Sequence, residues 1–209
     1  MIRPASIVMM TSAMLFLANP AIAATCELHV WPTNRLDGAT MGSWAGGIVP
    51  ALMAGKTDKQ VAVLKALLDP VKQVERFKKL DLRATFGLAV DTEVVYHDPI
   101  DTGWKAGARN APSNATCYFE FRIDEIVFNR HPLYGKDILA FLTFREFGPG
   151  DTIAVKSSDR VRTKMPAFPQ KVESDPASVS GAAGMVNEAF GTDITIFAGR
   201  IKPRIRKAT

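Results

Sequence analysis

Little in this chain is equipped for familiar chemistry. Among its 209 residues only three are histidine, His29, His97 and His131, and none belongs to an H-x-x-x-H or H-E-x-x-H pattern. His97-Asp98 with Asp91 and Asp101 offers donor atoms, but their spacing matches no metal-binding loop, so no metal site is expected. Ser43, Ser178 and Ser180 lack the G-x-S-x-G setting of a serine nucleophile. No G-x-G-x-x-G and no Gly-Lys-Ser/Thr ending is present, which argues against a phosphate-cradling loop and leaves no cofactor expected. Gly38, Gly42 and Gly46 stand four apart and read as the bare face of a closely packed helix over 41–54. The formal charge of +5 is mild; it permits contact with acidic surfaces without demanding nucleic acid. Beyond the N-terminal leader, no apolar run has the length of a membrane span.

What the chain does carry is organised around 117–148, CYFEFRIDEIVFNRHPLYGKDILAFLTFREFG. Phe119, Phe121 and Ile123 alternate with Glu120, Arg122 and Asp124, the period of a half-buried strand. The phase then slips to Ile126 and Phe128, as a β-bulge would make it. Residues 138–147 are almost continuously apolar, the mark of a strand covered on both faces. Pro132 and Gly135 supply the turn. The expectation is an α/β (α+β) fold: one mixed sheet with a central antiparallel hairpin, buried by helices.

Around that hairpin, residues 26–31 (CELHVW) read as a first strand and 33–38 as a polar turn. Residues 56–80 carry a helical stripe (Val61, Leu64, Leu67, Leu68, then Val71, Val74, Phe77, Leu80), restarted at Asp69-Pro70 by a cap and a first-turn proline. Residues 93–96 form another strand. Residues 98–116 are a long loop, a length that is usually functional or mobile. Residues 152–155 read as a short strand and 156–175 as segment without firm structure. Asp175-Pro176 opens a last helix, with a strand over 194–197 as its rival.

The N-terminus reads as a secretory leader. Arg3 precedes an apolar core over 7–18, Asn19-Pro20 breaks it, and Ala21-Ile22-Ala23 places the cut between Ala23 and Ala24. The alternative is an uncleaved anchor. A lipoprotein is disfavoured because Thr25 precedes Cys26 where a lipobox wants a smaller residue. The expected division is leader 1–23, one α/β domain over 24–201, and a basic tail over 202–209. That tail, with Lys202, Arg204, Arg206 and Lys207 broken by Pro203, is expected to be irregular and weakly attracted to anionic surfaces.

Cys26 and Cys117 are the two cysteines, each at the start of an expected strand. In an exported chain their default is a disulfide. If those strands are parallel neighbours, about 4.8 Å apart, their starts meet within disulfide reach. The alternatives are two separate buried thiols or a lipidated Cys26. Asp124-Glu125 is a carboxylate pair whose members point to opposite faces unless the bulge turns one. Asn129-Arg130-His131 reads as turn chemistry, and Trp104, between Gly103 and Lys105 in a polar loop, as a candidate exposed contact. No catalytic residue emerges.

The motifs CELHVWP, GGIV, CYFEF, RIDEIVF and LTFREFG resemble a group of exported alphaproteobacterial proteins without assigned activity, over Cys26 to roughly Ile201. The order of elements is also similar to the small α/β domains of the curli-secretion lipoprotein and of the Tol-Pal propeller protein N-terminus. The leader implies export to the periplasm, with an outer-membrane-associated or extracellular home as the alternatives. The function expected is a non-enzymatic binding or assembly module of the cell envelope, meeting an envelope protein or an anionic surface. The rivals are an envelope hydrolase using carboxylates and a secreted structural factor.

Overall fold

The structure is a computed structural model that describes residues 26–40, 62, 65–131, 135–148, 151–168 and 176–208. The leader and its cut at Ala23/Ala24, the glycine-rich stretch over 41–54 and the turn at Pro132 lie outside the described residues. In chain order the elements are β1 (Glu27–Trp31), β2 (Leu36–Thr40), α1 (Pro70–Leu80), α2 (Leu82–Phe86), β3 (Glu93–Tyr96), β4 (Tyr118–His131), β5 (Gly135–Phe147), β6 (Ile153–Lys164) and α3 (Pro176–Ala208). The strands form one mixed sheet ordered β3-β1-β4-β5-β6.

The expected hairpin is β4 and β5, paired antiparallel, and the phase slip is a register shift between Ile123 and Glu125. Strand β4 is long enough to take two partners in succession. Its first half pairs parallel with β1, Leu28 beside Phe119 and Val30 beside Phe121. Its second half pairs parallel with β2, Leu36 beside Ile126. Residues 36–38, expected as turn, are therefore strand; the polar turn ends at Arg35, whose carbonyl accepts from Ile126 N at 2.9 Å. Parallel β1 and β4 bring Cys26 and Cys117 to one edge, and the two form a disulfide with Cα atoms 4.6 Å apart.

One face of the sheet is apolar and carries the helices. Leu28, Val30, Phe119, Phe121, Ile123, Leu142 and Phe144 are buried there against Phe77, Phe86, Phe190 and Phe197. Ring centroids lie 4.8 Å apart for Phe86–Phe121 and 6.1 Å for Phe121–Phe197. Helix α1 starts where Asp69 caps it, its carboxylate accepting from Lys72 N at 3.1 Å. Gln73 on α1 is fully buried and holds the turn after β1. Its amide donates to the carbonyls of Thr33 (2.8 Å) and Leu68 (2.6 Å), and its oxygen accepts from Thr33 N (3.0 Å).

Two expectations need correction in the second half of the chain. β6 is a twelve-residue strand, not a four-residue one followed by irregular chain, because alternate residues Ser157 and Val161 are buried against the helices. The rival strand over 194–197 is not formed: the expected helix holds there, since Ile194, Phe197, Ala198 and Ile201 make one buried stripe of α3. Nor does the last helix end before Lys202: its backbone continues through Pro203 to Ala208, and Lys202 is drawn onto α2, where its Nζ donates to the Ala84 carbonyl at 3.3 Å. The side chains of Arg204, Arg206 and Lys207 lie outside the described residues.

Candidate functional site

Strand alternation sends a second set of side chains to the opposite face: Glu27, His29 and Trp31 from β1, Tyr118, Glu120 and Arg122 from β4, and Arg145 and Phe147 from β5. In the sequence β5 reads as covered on both faces, whereas the charged members on β1 and β4 read as the solvent side of half-buried strands. Instead the loop over 98–116 lies across it. Glu120 and Arg145, register partners on β4 and β5, are 1% and 0% exposed. Burying such a pair is tolerable only when every remaining polar atom is matched. Here it is matched. Arg145 Nε donates to Glu120 Oε2 at 2.9 Å, and Nη2 closes the fork on the same carboxylate. Nη1 donates to the carbonyls of Lys105 (2.7 Å) and Ala106 (3.1 Å), and Nη2 to that of Ala108 (3.3 Å).

The carboxylate of Glu120 receives the rest of the loop. Asn110 N donates to Oε1 at 2.7 Å, and the Asn110 amide and the Tyr118 hydroxyl also donate to it. The Tyr118 hydroxyl accepts from Ala111 N at 3.2 Å. Burial, with the Glu120 charge alongside, pushes the Tyr118 hydroxyl well above its usual range, so it remains a donor at any physiological pH. One ion pair thus fixes the backbone of a loop that has no helix or strand of its own.

Trp104 closes the arrangement. It was expected as an exposed ring, yet it is half-buried. The guanidinium groups of Arg122 and Arg145 lie over it at 4.0 and 4.5 Å, and Trp31 meets it edge-on at 5.3 Å. Desolvation, and the Arg145 charge after it, lowers Arg122 to about 10, still protonated at neutral pH.

Beside the loop, a chain of three titratable groups runs along the β1–β3 edge. His29 Nε2 meets Glu27 Oε2 at 2.8 Å, and His29 Nδ1 meets His97 Nε2 at 2.7 Å. With both rings neutral and the carboxylate ionised, His29 donates to Glu27 and accepts from His97, which leaves His97 Nδ1 as the basic end. Desolvation, then the charge of His29, holds His97 below its usual range. The Ser113 hydrogen bond, with His29 and Arg109, outweighs burial and holds Glu27 below the usual carboxylate range. The His97 ring stacks on Trp31 at 4.5 Å.

The other candidates from the sequence go elsewhere. Asp124 pairs with Arg122 and accepts from the Thr143 hydroxyl at 2.6 Å, whereas Glu125 faces Arg35 at 3.5 Å; the bulge gives the two carboxylates separate partners. Asn129 donates to Asp137 at 2.8 Å. Asp91, Asp98 and Asp101 do not gather with His97: among the described residues no group of three donor side chains could hold a metal ion. No helix among the described residues is long and apolar enough to cross a membrane.

Comparison with known proteins adds neighbours but no family. No family model matches the chain, and no curated protein matches it. The likeness built on the CELHVWP start therefore rests on those motifs alone. Solved structures that align with it include a DUF330 protein from Xanthomonas campestris, at TM-score 0.40 and 11% identity over 91% of this chain and 93% of that one. A neuraminyllactose-binding hemagglutinin homologue from Helicobacter pylori aligns at TM-score 0.40 and 11% identity, over 89% and 88%. The PelC dodecamer from Paraburkholderia phytofirmans gives TM-score 0.29 and 11% identity, over 84% and 91%. Overlaps this loose carry no argument about activity, which rests on the geometry above.

The sequence reading missed Glu120, Arg145, Glu27 and His29. A signal was there. Trp31 and Tyr118 stand in the same phase as these polar residues, and two large aromatic rings do not belong on an open solvated face.

Proposed function

We propose that the chain is an exported, non-enzymatic binding or assembly module of the cell envelope, with the clamped outer surface of the 98–116 loop as its contact with an envelope protein. The leader with its cut at Ala23/Ala24 and the Cys26–Cys117 disulfide support export to an oxidising compartment. The observation that carries the reading is the Arg145–Glu120 clamp. Long loops held in one shape by a rigid scaffold are where contact residues concentrate. Here a fully buried charge pair is committed to fixing loop carbonyls, while Asp98, Asp101, Thr102, Lys105 and Ala108 stay exposed on the outside. A photo-crosslinking residue placed at Thr102 or Ala108 in cells should give a discrete adduct with one envelope component. The same probe at Val90, which is 88% exposed outside the loop, should not. Equal adducts at both, or none at the loop, would reject the reading.

The second reading is the hydrolase, and the Glu27–His29–His97 chain favours it. A carboxylate behind two hydrogen-bonded imidazoles can accept a proton at His97 Nδ1, the behaviour of a general base. That reading requires turnover of an ester, phosphodiester or glycoside by the mature protein. The turnover must also be lost in His97→Asn with the fold intact.

A further inference from the structure

Away from the loop, helices α1 and α3 enclose a hollow of about 260 Å³, lined by Leu67, Lys72, Glu75, Arg76, Lys79, Ala183 and Asn187. Its charge is unbalanced. Lys72 is spoken for, its Nζ lying 3.3 Å from the Asp69 carboxylate and donating also to the Ala66 carbonyl. Glu75 is exposed. Among the described residues, neither Arg76 nor Lys79 reaches a carboxylate. Arg76 Nε is buried with no acceptor. A guanidinium that loses water on one N–H without gaining an acceptor costs stability, which a charge-assisted bond donated from its open Nη edge to an oxyanion would offset.

The position of that guanidinium is built, not incidental. It lies flat against the bare backbone of Gly191 on α3. A Cβ there would stand 2.7 Å from Nη2, closer than real Cβ atoms come, and 3.0 Å from Nε, tighter than most real contacts. Glycine lets the fork lie against α3 beside the hollow; with a Cβ at this position the end of the Arg76 side chain would have to shift. Lys79, one turn along α1, adds a second cation, and Asn187 brings an amide donor from the facing helix. A fork, a point charge and a neutral donor converging from two helices match a tetrahedral dianion better than a single carboxylate.

We propose that the α1–α3 hollow binds a phosphate monoester group through Arg76 and Lys79. The group belongs either to a soluble phosphate compound or to the headgroup of an anionic lipid. The site is separate from the loop surface and does not depend on how that surface is used.

The test uses the whole mature protein, with inorganic phosphate and glycerol 3-phosphate as soluble probes and phosphatidate vesicles as the lipid probe. Titrated phosphate should move the Arg76 Nε–H resonance downfield and leave that of Arg160, an exposed arginine on β6, in place. Arg76→Gln should weaken phosphate binding at least tenfold, and Lys79→Gln by threefold or more. Gly191→Ala keeps every charge but displaces the fork, and should also weaken binding severalfold. Lys156→Gln, an exposed cation on β6, should change it less than twofold. Melting curves of each variant confirm that it is folded. Phosphate binding without vesicle binding assigns the soluble source. Vesicle binding that Arg76→Gln abolishes and free phosphate competes away assigns the headgroup. No binding of any probe, or equal losses in Arg76→Gln and Lys156→Gln, overturns the proposal. A packing role alone for Arg76 would leave its Nε–H resonance unmoved by phosphate.

Discussion

The two faces of the sheet are covered by different materials and held by different forces. Helices α1, α2 and α3 cover one face, and phenylalanines from both sides meet there at centroid distances near 5–6 Å. That contact is non-directional: any side chain of suitable volume contributes, and the helices satisfy their own backbones. The 98–116 loop covers the other face and cannot satisfy its own backbone. Its carbonyls and N–H groups need partners, and the sheet supplies them as Arg145, Glu120 and Tyr118. Burial of apolar area explains the first face. The second is explained by the cost of leaving polar groups unmatched.

The two largest expected losses sharpen that contrast. Phe121→Ala should destabilise the protein by about 3–5 kcal/mol through lost burial and the cavity left behind, with no selective effect on the loop. Arg145→Met should cost about 3–5 kcal/mol as well, because Glu120 stays behind as an unpaired buried charge. Here the loop should become protease-sensitive well below the global unfolding midpoint. Replacing both partners, as Glu120→Leu with Arg145→Met, should restore part of the stability while the loop stays loose. Denaturant titration combined with limited proteolysis separates these outcomes. If Phe121→Ala frees the loop as readily as Arg145→Met, the two faces are not independent.

The disulfide ties β1 to β4 at the margin of both faces. Cys117→Ser should cost about 2–5 kcal/mol, since a bridge over a separation of 91 residues no longer restricts the unfolded chain. Reduction of the wild type should lower the melting temperature by a matching amount and leave Cys117→Ser unchanged.

Asp193 breaks the pattern, being a carboxylate on the helical side. It is fully buried on α3 and accepts from the Thr163 hydroxyl at 2.6 Å, while its other oxygen is unmatched. Desolvation, opposed by that hydrogen bond, raises its pKa from 3.8 to about 7. The folded state therefore holds a proton that the unfolded chain releases near pH 4. This contribution is fully present below pH 4, is lost as pH rises through 7, and changes no further above that. Asp193→Asn keeps the acceptor for Thr163 and removes the titration. Its stability relative to wild type should rise between pH 4 and pH 7, then level off. A flat difference would mean that Asp193 ionises normally.

Trp104→Ala gives the smallest effect, about 1–2 kcal/mol, from lost ring burial and two cation–π contacts. It should loosen the middle of the loop, visible as faster amide exchange at 103–109, and leave α1 and α3 protected.

The hairpin, the bulge, β1, β3 and the disulfide were all legible, because each rests on local signals: alternation, a phase slip, and two cysteines at strand starts. The extent of β6 was not, since Lys156, Arg160, Arg162 and Lys164 dominate its composition and hide buried Ser157 and Val161. Pro203 looked like a stop and is carried inside α3. Propensity weighs each residue alone; burial of a helix face against a sheet overrides it.

Periodicity by itself determined which residues share a strand face, because side chains alternate whatever the surroundings. What lies over each face only the tertiary structure decided. Glu120 and Arg145 are 25 residues apart, and their loop partners reach back to Lys105. Within the two strands Tyr118 and Phe147 hint that this face is covered, but nothing in the local pattern says that the cover is a loop's carbonyls. That appears only when β4 and β5 pair in register and the segment over 98–116 is laid across them.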